Sequence, residues 1–254
     1  MAEVERCIFS AAFDGELPAE VGRVYLGAEF CCWLVPPARQ LVSEIASVHH
    51  LGRPVSVVLP VLNEFFLPQL QTALSTLCPF LKDDDEIVIS DWGALDPVRS
   101  CCPGVEVVAG RVLSGQKRGP QALSLDESSD TAGYFRRSRW HSEAMAAMLR
   151  DLGIFRVELD NPGQGVAPLP PGLRGTLHTP YAFVTSSRNC PWRTSGSTAA
   201  CRGPCGEVFR LDAAPLEAPL LQRGNTQFVE KRGLPADPSS LGIDRVVFHP
   251  SLPR

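Results

Sequence analysis

Three cysteines in the last third of the chain, Cys190, Cys201 and Cys205, have the residue type and spacing best suited to chemistry. The segment between them is rich in Ser, Thr, Gly and Pro, which favour turns, so it can wrap around a small object. Ten residues separate the first two thiols and three separate the last two, a wider spacing than the paired short gaps of common zinc ribbons. The spacing alone does not establish a metal site, and a four-ligand centre would need one more ligand.

The other six cysteines lie earlier in the chain. Cys31 and Cys32 follow a predicted strand at 23–27, and the end of a strand is a good position for a site residue. The rest are expected in or near the core, because free cysteine is among the residue types most often buried. The odd total of nine and the predicted reducing compartment argue against a disulfide framework. The four cysteines assigned to packing are Cys7, Cys78, Cys101 and Cys102.

The composition predicts a globular protein with a sizeable core, since 44% of the 254 residues are hydrophobic and 20% are charged. A net charge of -4 offers no overall attraction to nucleic acid or to an anionic membrane, so nucleic acid is an unlikely partner. The amino terminus lacks the basic start and apolar run of a secretory signal, and no apolar stretch approaches membrane-spanning length. We therefore expect a cytoplasmic protein without a membrane span.

Short β-branched runs alternate with helical stretches along the chain, and about eight principal strands predict an α/β fold. We expect one (β/α) TIM-like barrel over residues 1–254, partly irregular in the C-terminal half, where fewer helices are evident. Strands are predicted at 6–10, 23–27, 54–59, 86–91, 105–108, 154–159, 181–185, 207–211, 220–225 and 245–248, and helices at 36–52, 68–81 and 140–152.

Polar residues after the predicted strands suggest a binding face, because the carboxyl ends of barrel strands form the active face of such folds. Asp91 ends one strand, although it would equally serve as a cap for the following turn. Arg111, Lys117 and Arg118 follow another strand in the most basic part of the chain. They are predicted to contact an anionic small molecule, with solvated surface as the alternative.

Taken together, several segments resemble the collagenase-like peptidase family U32, over nearly the whole chain. Within that family the similarity is to the short ubiquinone-biosynthesis branch, nearer to UbiV than to UbiU. The matching segments are Val24-Tyr25-Leu26-Gly27 with Cys31 following, residues 90–95, the loop 110–120, and Ser187-Arg188-Asn189-Cys190 with Cys201 and Cys205.

The resemblance implies a barrel that carries a 4Fe-4S cluster on Cys31, Cys190, Cys201 and Cys205. Four thiolates are a complete ligand set for such a cluster. A structural zinc site would use the same four residues, and ligand type alone does not separate the two. The adjacent Cys32 leaves open which cysteine of the pair is the fourth ligand.

The branch takes part in oxygen-independent hydroxylation of a ubiquinone precursor, as a UbiU/UbiV heterodimer with prephenate as the hydroxyl donor. The resemblance therefore implies a UbiU-like partner and an anionic substrate. The chain would be either a catalytic subunit or a cluster-bearing scaffold. Peptidase activity and RNA hydroxylation, found or named elsewhere in the family, are further alternatives, but no Ser/His/Asp grouping or zinc-protease motif is evident.

Overall fold

The computed structural model describes residues 4–10, 13, 15–119, 122, 129–193, 201, 205–212 and 219–253. Cys201 and Cys205 are described, whereas most of the segment between Arg193 and Cys205 lies outside the described residues. The strands are β1 (Glu5–Ser10), β2 (Arg23–Gly27), β3 (Val55–Leu59), β4 (Glu86–Ile89), β5 (Glu106–Ala109), β6 (Arg156–Asp160), β7 (Arg174–Thr179), β8 (Tyr181–Ser186), β9 (Phe209–Leu211), β10 (Leu220–Arg223), β11 (Thr226–Glu230) and β12 (Ile243–Phe248).

Eight of these strands close into a barrel in the order β1-β12-β7-β6-β5-β4-β3-β2. Every neighbouring pair is parallel. Strands β3 and β4 are buried along their whole length, as expected for parallel strands covered on both faces. The predicted TIM-like barrel is therefore confirmed.

Helices α1 (Ala38–His50), α2 (Leu67–Leu77) and α3 (Leu95–Cys101) connect successive strands from β2 to β5. Leu41, Ile45 and Val48 of α1 are buried, and the leucine stripe of α2 packs in the same core cluster, so the sequence predicted these faces correctly. Helices α4 (Asp130–Phe135) and α5 (Glu143–Asp151) lie between β5 and β6. No described helix is both long and apolar enough to cross a membrane.

The second half of the chain departs from a regular barrel because it contains a separate antiparallel sheet, ordered β8-β11-β10-β9. The runs predicted at 181–185, 207–211 and 220–225 belong to this sheet and not to the barrel wall. Strands β10 and β11 are joined by the short turn at Gly224-Asn225, which antiparallel strands permit and parallel strands do not. This sheet accounts for the irregular C-terminal half that was predicted from the small number of helices there.

The barrel strand β7 was missed by sequence reasoning, which expected no strand between 160 and 180. Its residues are Arg-Gly-Thr-Leu-His-Thr, and Thr176 and His178 are buried, although neither is apolar. Polar side chains and an internal glycine remove the apolar pattern by which strands are recognised. The strand is held by its parallel neighbours β6 and β12.

The antiparallel sheet packs over the carboxyl end of the barrel through an aromatic cluster. Phe30, just beyond β2, has its ring centroid 5.2 Å from that of Phe183 on β8 and 5.4 Å from that of Phe228 on β11. Leu252 completes this buried cluster. The sheet thus covers the end of the barrel where the loops after the strands meet.

Cys78 and Cys102 form a disulfide, with their Cα atoms 5.4 Å apart. Both cysteines contact the core, as predicted, but the disulfide itself was not expected from the sequence. The bond joins the ends of two helical segments, since Cys78 follows α2 and Cys102 follows α3. Of the other two cysteines assigned to packing, Cys7 is buried and Cys101 is partly buried.

Gly27 at the end of β2 offers a test of how tightly the barrel is built. Its φ is +119°, and a Cβ atom there would lie 2.3 Å from the carbonyl oxygen of Val58 on β3. We expect Gly27→Ala to lower the free energy of unfolding by about 2–4 kcal/mol, because it adds both backbone strain and a backbone clash.

The matched control is Gly52→Ala, since Gly52 has a φ of +69° but open space around its Cα. That variant should cost about 1 kcal/mol, from backbone strain alone. Urea denaturation followed by circular dichroism measures both changes. Equal losses for the two variants would contradict a tight contact between β2 and β3.

Candidate functional site

The structure brings the four predicted ligands to one pocket, lined by Cys31, Cys190, Cys201 and Cys205. Cys31 lies in the loop after β2, and the other three lie in the long connection between β8 and β9. Cys32 lines the same pocket. The barrel and the antiparallel sheet therefore each supply part of the lining.

The thiols are close enough to influence one another electrostatically. The pKa of Cys31 is raised to about 11, mainly by burial and in part by the negative charges of Cys32, Cys205 and Cys190, against the lowering effect of a backbone hydrogen bond from Trp33. Thiolates clustered in this way repel one another, and a bound cation relieves the repulsion by favouring the deprotonated form. The donor set thus fits a metal centre that takes thiolate ligands.

Cys31 and Cys32 have different surroundings despite being adjacent. Cys32 is buried at the start of a short 3-10 helix, and its sulfur accepts a hydrogen bond from Asn63 Nδ2 at 3.5 Å. Burial raises the pKa of Cys32, and the hydrogen bonds from Asn63 oppose that rise. The charges of Cys190 and Cys205 act on Cys31, which favours Cys31 as the fourth ligand. That assignment stays a prediction.

Arg188 anchors the start of the cysteine loop to the barrel. Its Nη2 donates to Asp91 Oδ2 at 2.8 Å, and its Nε donates to the carbonyl oxygen of Leu62 at 2.9 Å. Asp91 Oδ1 also accepts from the backbone N–H of Gly93 at 2.9 Å. Asp91 therefore caps its own turn, as one reading of the sequence proposed, and also holds Arg188.

Asn225 links the same loop to the barrel from the other side. Its Nδ2 donates to the carbonyl oxygens of Phe30 and Ser187, each at 2.8 Å. Sequence reasoning did not identify Asn225 as a site residue. The sequence places Asn225 next to Gly224 in a tight turn. Asparagine is common in turns, so this position gave no indication of a function.

Aromatic side chains form one wall of the pocket. The indole of Trp33 stacks on the ring of Phe65 with centroids 5.4 Å apart. The guanidinium of Arg193 lies 4.9 Å from the Trp33 centroid, within cation–π distance. Trp192 packs on Gly206, where a Cβ atom would lie 2.2 Å from the indole. These contacts place aromatic rings beside the thiols, although Phe65 and Trp192 are themselves partly exposed to solvent.

A second polar centre lies under the antiparallel sheet and is built around Arg111. Its Nε donates to Glu29 Oε1 at 2.7 Å, and its Nη2 pairs with the other oxygen of the same carboxylate. Its Nη1 donates to Asp160 Oδ1 and to the carbonyl oxygen of Tyr181, both at 2.8 Å. Burial opposes the charge of Arg111, but Glu29 and Asp160 outweigh it and raise the pKa above its ordinary value.

Arg118 belongs to the same buried centre, whereas Lys117 does not. Arg118 Nε donates to Asp160 Oδ2 at 2.5 Å, and its guanidinium lies 4.0 Å from the ring centroid of Phe183. The Lys117 side chain is exposed. The anion-binding role proposed for these residues stays a prediction, and the two arginines would need to leave internal carboxylates to fulfil it.

The fold is similar to one solved structure, that of the U32 peptidase Mk0906. The TM-score is 0.51 and the sequence identity is 11%, over 100% of this chain and 96% of that one. At this identity the likeness shows a shared fold alone. No family model matches the sequence, and no curated protein matches it. The U32-type fold expected from the resemblance is therefore supported, and the ubiquinone branch stays a proposal.

Arg111 provides a test of how much the buried ion pairs contribute to stability. We expect Arg111→Gln to reduce the free energy of unfolding by about 3–5 kcal/mol, because Glu29 and Asp160 would lose a buried partner. Lys117→Gln, a change of the same charge at an exposed site, should change it by less than about 0.5 kcal/mol. Urea denaturation measures both. Equal stability of the two variants would show that the buried pairs contribute little.

Proposed function

We propose that this chain is a 4Fe-4S protein that binds its cluster through Cys31, Cys190, Cys201 and Cys205. The observation that carries the proposal is the convergence of all four thiols on one pocket, although Cys31 is far in sequence from the other three. The raised pKa of Cys31 adds support, because neighbouring thiols that influence one another in this way would be deprotonated together only when a cation is bound.

The surroundings of the thiols suit a redox centre. When bound, a cluster of this kind supplies electron transfer at a potential set by its charge, its hydrogen bonds and its exposure to solvent. The chain contributes a hydrogen-bond donor at Asn63, beside Cys32, and a positive charge at Arg193. Zinc is the alternative occupant, since it takes the same ligands.

For the reaction we propose oxygen-independent hydroxylation during ubiquinone biosynthesis, with a UbiU-like partner and an anionic donor such as prephenate. The support is the order of the sequence motifs together with the U32-type fold. A cluster-bearing scaffold for a catalytic partner is the second candidate. Peptidase activity is less well supported, because it rests only on the similar fold of a U32 peptidase. RNA hydroxylation is also less well supported.

Positive charge near the thiols suits an anionic donor. Arg188 and Arg193 line the cysteine pocket, and a guanidinium can bind a carboxylate through two parallel hydrogen bonds. Lys117, the exposed member of the basic group predicted from the sequence, does not line this pocket. A dicarboxylate such as prephenate would therefore meet Arg193 and also Arg188, whose guanidinium already pairs with Asp91.

The cluster assignment is tested by single substitutions. We expect Cys31→Ala, Cys190→Ala, Cys201→Ala and Cys205→Ala, each purified without oxygen, to lose the visible absorption that dithionite bleaches. Cys32→Ala is the matched control and should keep it, because its thiol is not a proposed ligand. Iron and acid-labile sulfide are quantified in parallel.

Two outcomes would contradict this assignment. Full iron content in Cys31→Ala, together with loss of iron in Cys32→Ala, would show that Cys32 and not Cys31 is the fourth ligand. A colourless wild-type protein that contains zinc and no sulfide would rule out the cluster.

The proposed partnership is tested by coexpression with the UbiU-like protein of the same organism. We expect a stable heterodimer that is weakened by Val208→Asp and Phe209→Asp, which place charge on exposed apolar side chains beside the edge of the antiparallel sheet. Phe155→Asp is the control, since Phe155 is similarly exposed but precedes β6 at the opposite end of the barrel. Separate elution of two cluster-loaded monomers in anaerobic gel filtration would refute the partnership.

A further inference from the structure

Two histidines and a carboxylate converge inside the carboxyl end of the barrel, away from the cysteines. His178 is on β7, His249 directly follows β12, and Glu29 lies two residues beyond β2. One potential ligand atom from each residue lies within 4.8 Å of the others. All three side chains are buried, with at most 2% of each residue exposed. Strand ends that are distant in sequence thus bring together a metal-binding donor set.

The two imidazoles are arranged as neighbouring ligands of one ion would be. His178 Nδ1 and His249 Nε2 are 2.8 Å apart. Two nitrogens bound at about 2.1 Å to the same ion lie roughly 3.0–3.4 Å from each other. An ion would therefore require the rings to separate by only a few tenths of an ångström.

The surrounding residues fix the orientation of both rings. Glu158 Oε2 lies 3.1 Å from His178 Nε2, the ring nitrogen that faces away from His249. A carboxylate behind a ligand histidine is a common arrangement in metal sites. Phe9 stacks on His249 with centroids 5.0 Å apart. The ring of Tyr25 is nearly perpendicular to that of His178, with centroids 6.0 Å apart.

The arginines of this buried centre hold two of its three carboxylates. Arg111 pairs with Glu29 and shares Asp160 with Arg118. Among the described ion pairs, Glu158 has only His178 as a partner. Glu158 Oε1 and His178 Nε2 have no aligned hydrogen-bond partner among the described residues. A buried carboxylate oxygen without a hydrogen bond is costly, so a metal ion that adds positive charge on His178 would stabilise Glu158.

We propose that Glu29, His178 and His249 bind a divalent first-row transition metal, such as Mn²⁺, Fe²⁺ or Zn²⁺, at a site distinct from the cysteine pocket. Two imidazoles and one carboxylate suit these ions and leave coordination positions open for another ligand. Arg111 holds both oxygens of Glu29, but each carboxylate oxygen has a second lone pair for an ion. The inference does not depend on the iron-sulfur proposal.

The test uses Mn²⁺, because thiolates are poor ligands for this ion and the cysteine pocket will not compete for it. The full chain is expressed in medium supplemented with Mn²⁺, since the site is closed and slow exchange is expected, and is then dialysed. Elemental analysis and electron paramagnetic resonance measure the retained ion. We expect about one Mn²⁺ per chain in the wild type and in Cys190→Ala.

His178→Gln and His249→Gln should each retain at least tenfold less Mn²⁺ than the wild type, and Glu158→Gln should reduce retention through a weaker hold on His178. His50→Gln is the matched control, because His50 is exposed on α1, and should retain as much as the wild type. Circular dichroism confirms that each variant is folded. Equal Mn²⁺ retention in the wild type and in both folded histidine variants would overturn the proposal. A wild type that retains no Mn²⁺ and no Zn²⁺, and whose iron is fully accounted for by an equal amount of acid-labile sulfide from the cluster, would overturn it as well.

Discussion

The ion-pair network of Arg111 is the interaction on which the upper half of the molecule depends. One guanidinium reaches Glu29 beyond β2, Asp160 at the end of β6, and the backbone of β8 at Tyr181. Buried charges are tolerated only when partners satisfy nearly all of their hydrogen bonds. Because those partners come from different strands, the barrel and the antiparallel sheet must meet in one arrangement for all of them to be satisfied together.

That arrangement also determines where the cysteines lie. Cys31 is two residues from Glu29, and Phe30 between them packs on Phe183 and Phe228. The backbone N–H of Phe183 donates to Asp160 at 3.2 Å, which fixes β8 on the barrel. The loop with Cys190 follows β8 directly. The thiol pocket is therefore positioned by a charged centre that contributes none of its ligands.

The sequence predicted the first six barrel strands and α1 and α2 well, because their apolar residues follow regular periods of burial. It failed at β7, where the inward-facing residues Thr176 and His178 serve the polar interior and break that pattern. It also predicted the sheet strands as barrel strands, since a short apolar run does not reveal its partner or its direction. The cysteine positions were recognisable because thiols are rare and clustered, whereas His178 and His249 are single residues, far apart in the chain, that only the closed barrel brings together.

Barrel closure has a consequence for how the protein is made on the ribosome. Strand β1 pairs with β12, and Glu5 stands opposite Arg245, so β1 lacks one neighbour until β12 has been synthesised, more than two hundred residues later. Pairing over such sequence distances is slow, and the waiting sheet has two open edges. Nascent chains in this state are candidates for chaperone binding. Before the barrel closes, metal ions can reach side chains that the folded protein encloses. Metal binding during translation would therefore be easier than metal binding afterwards.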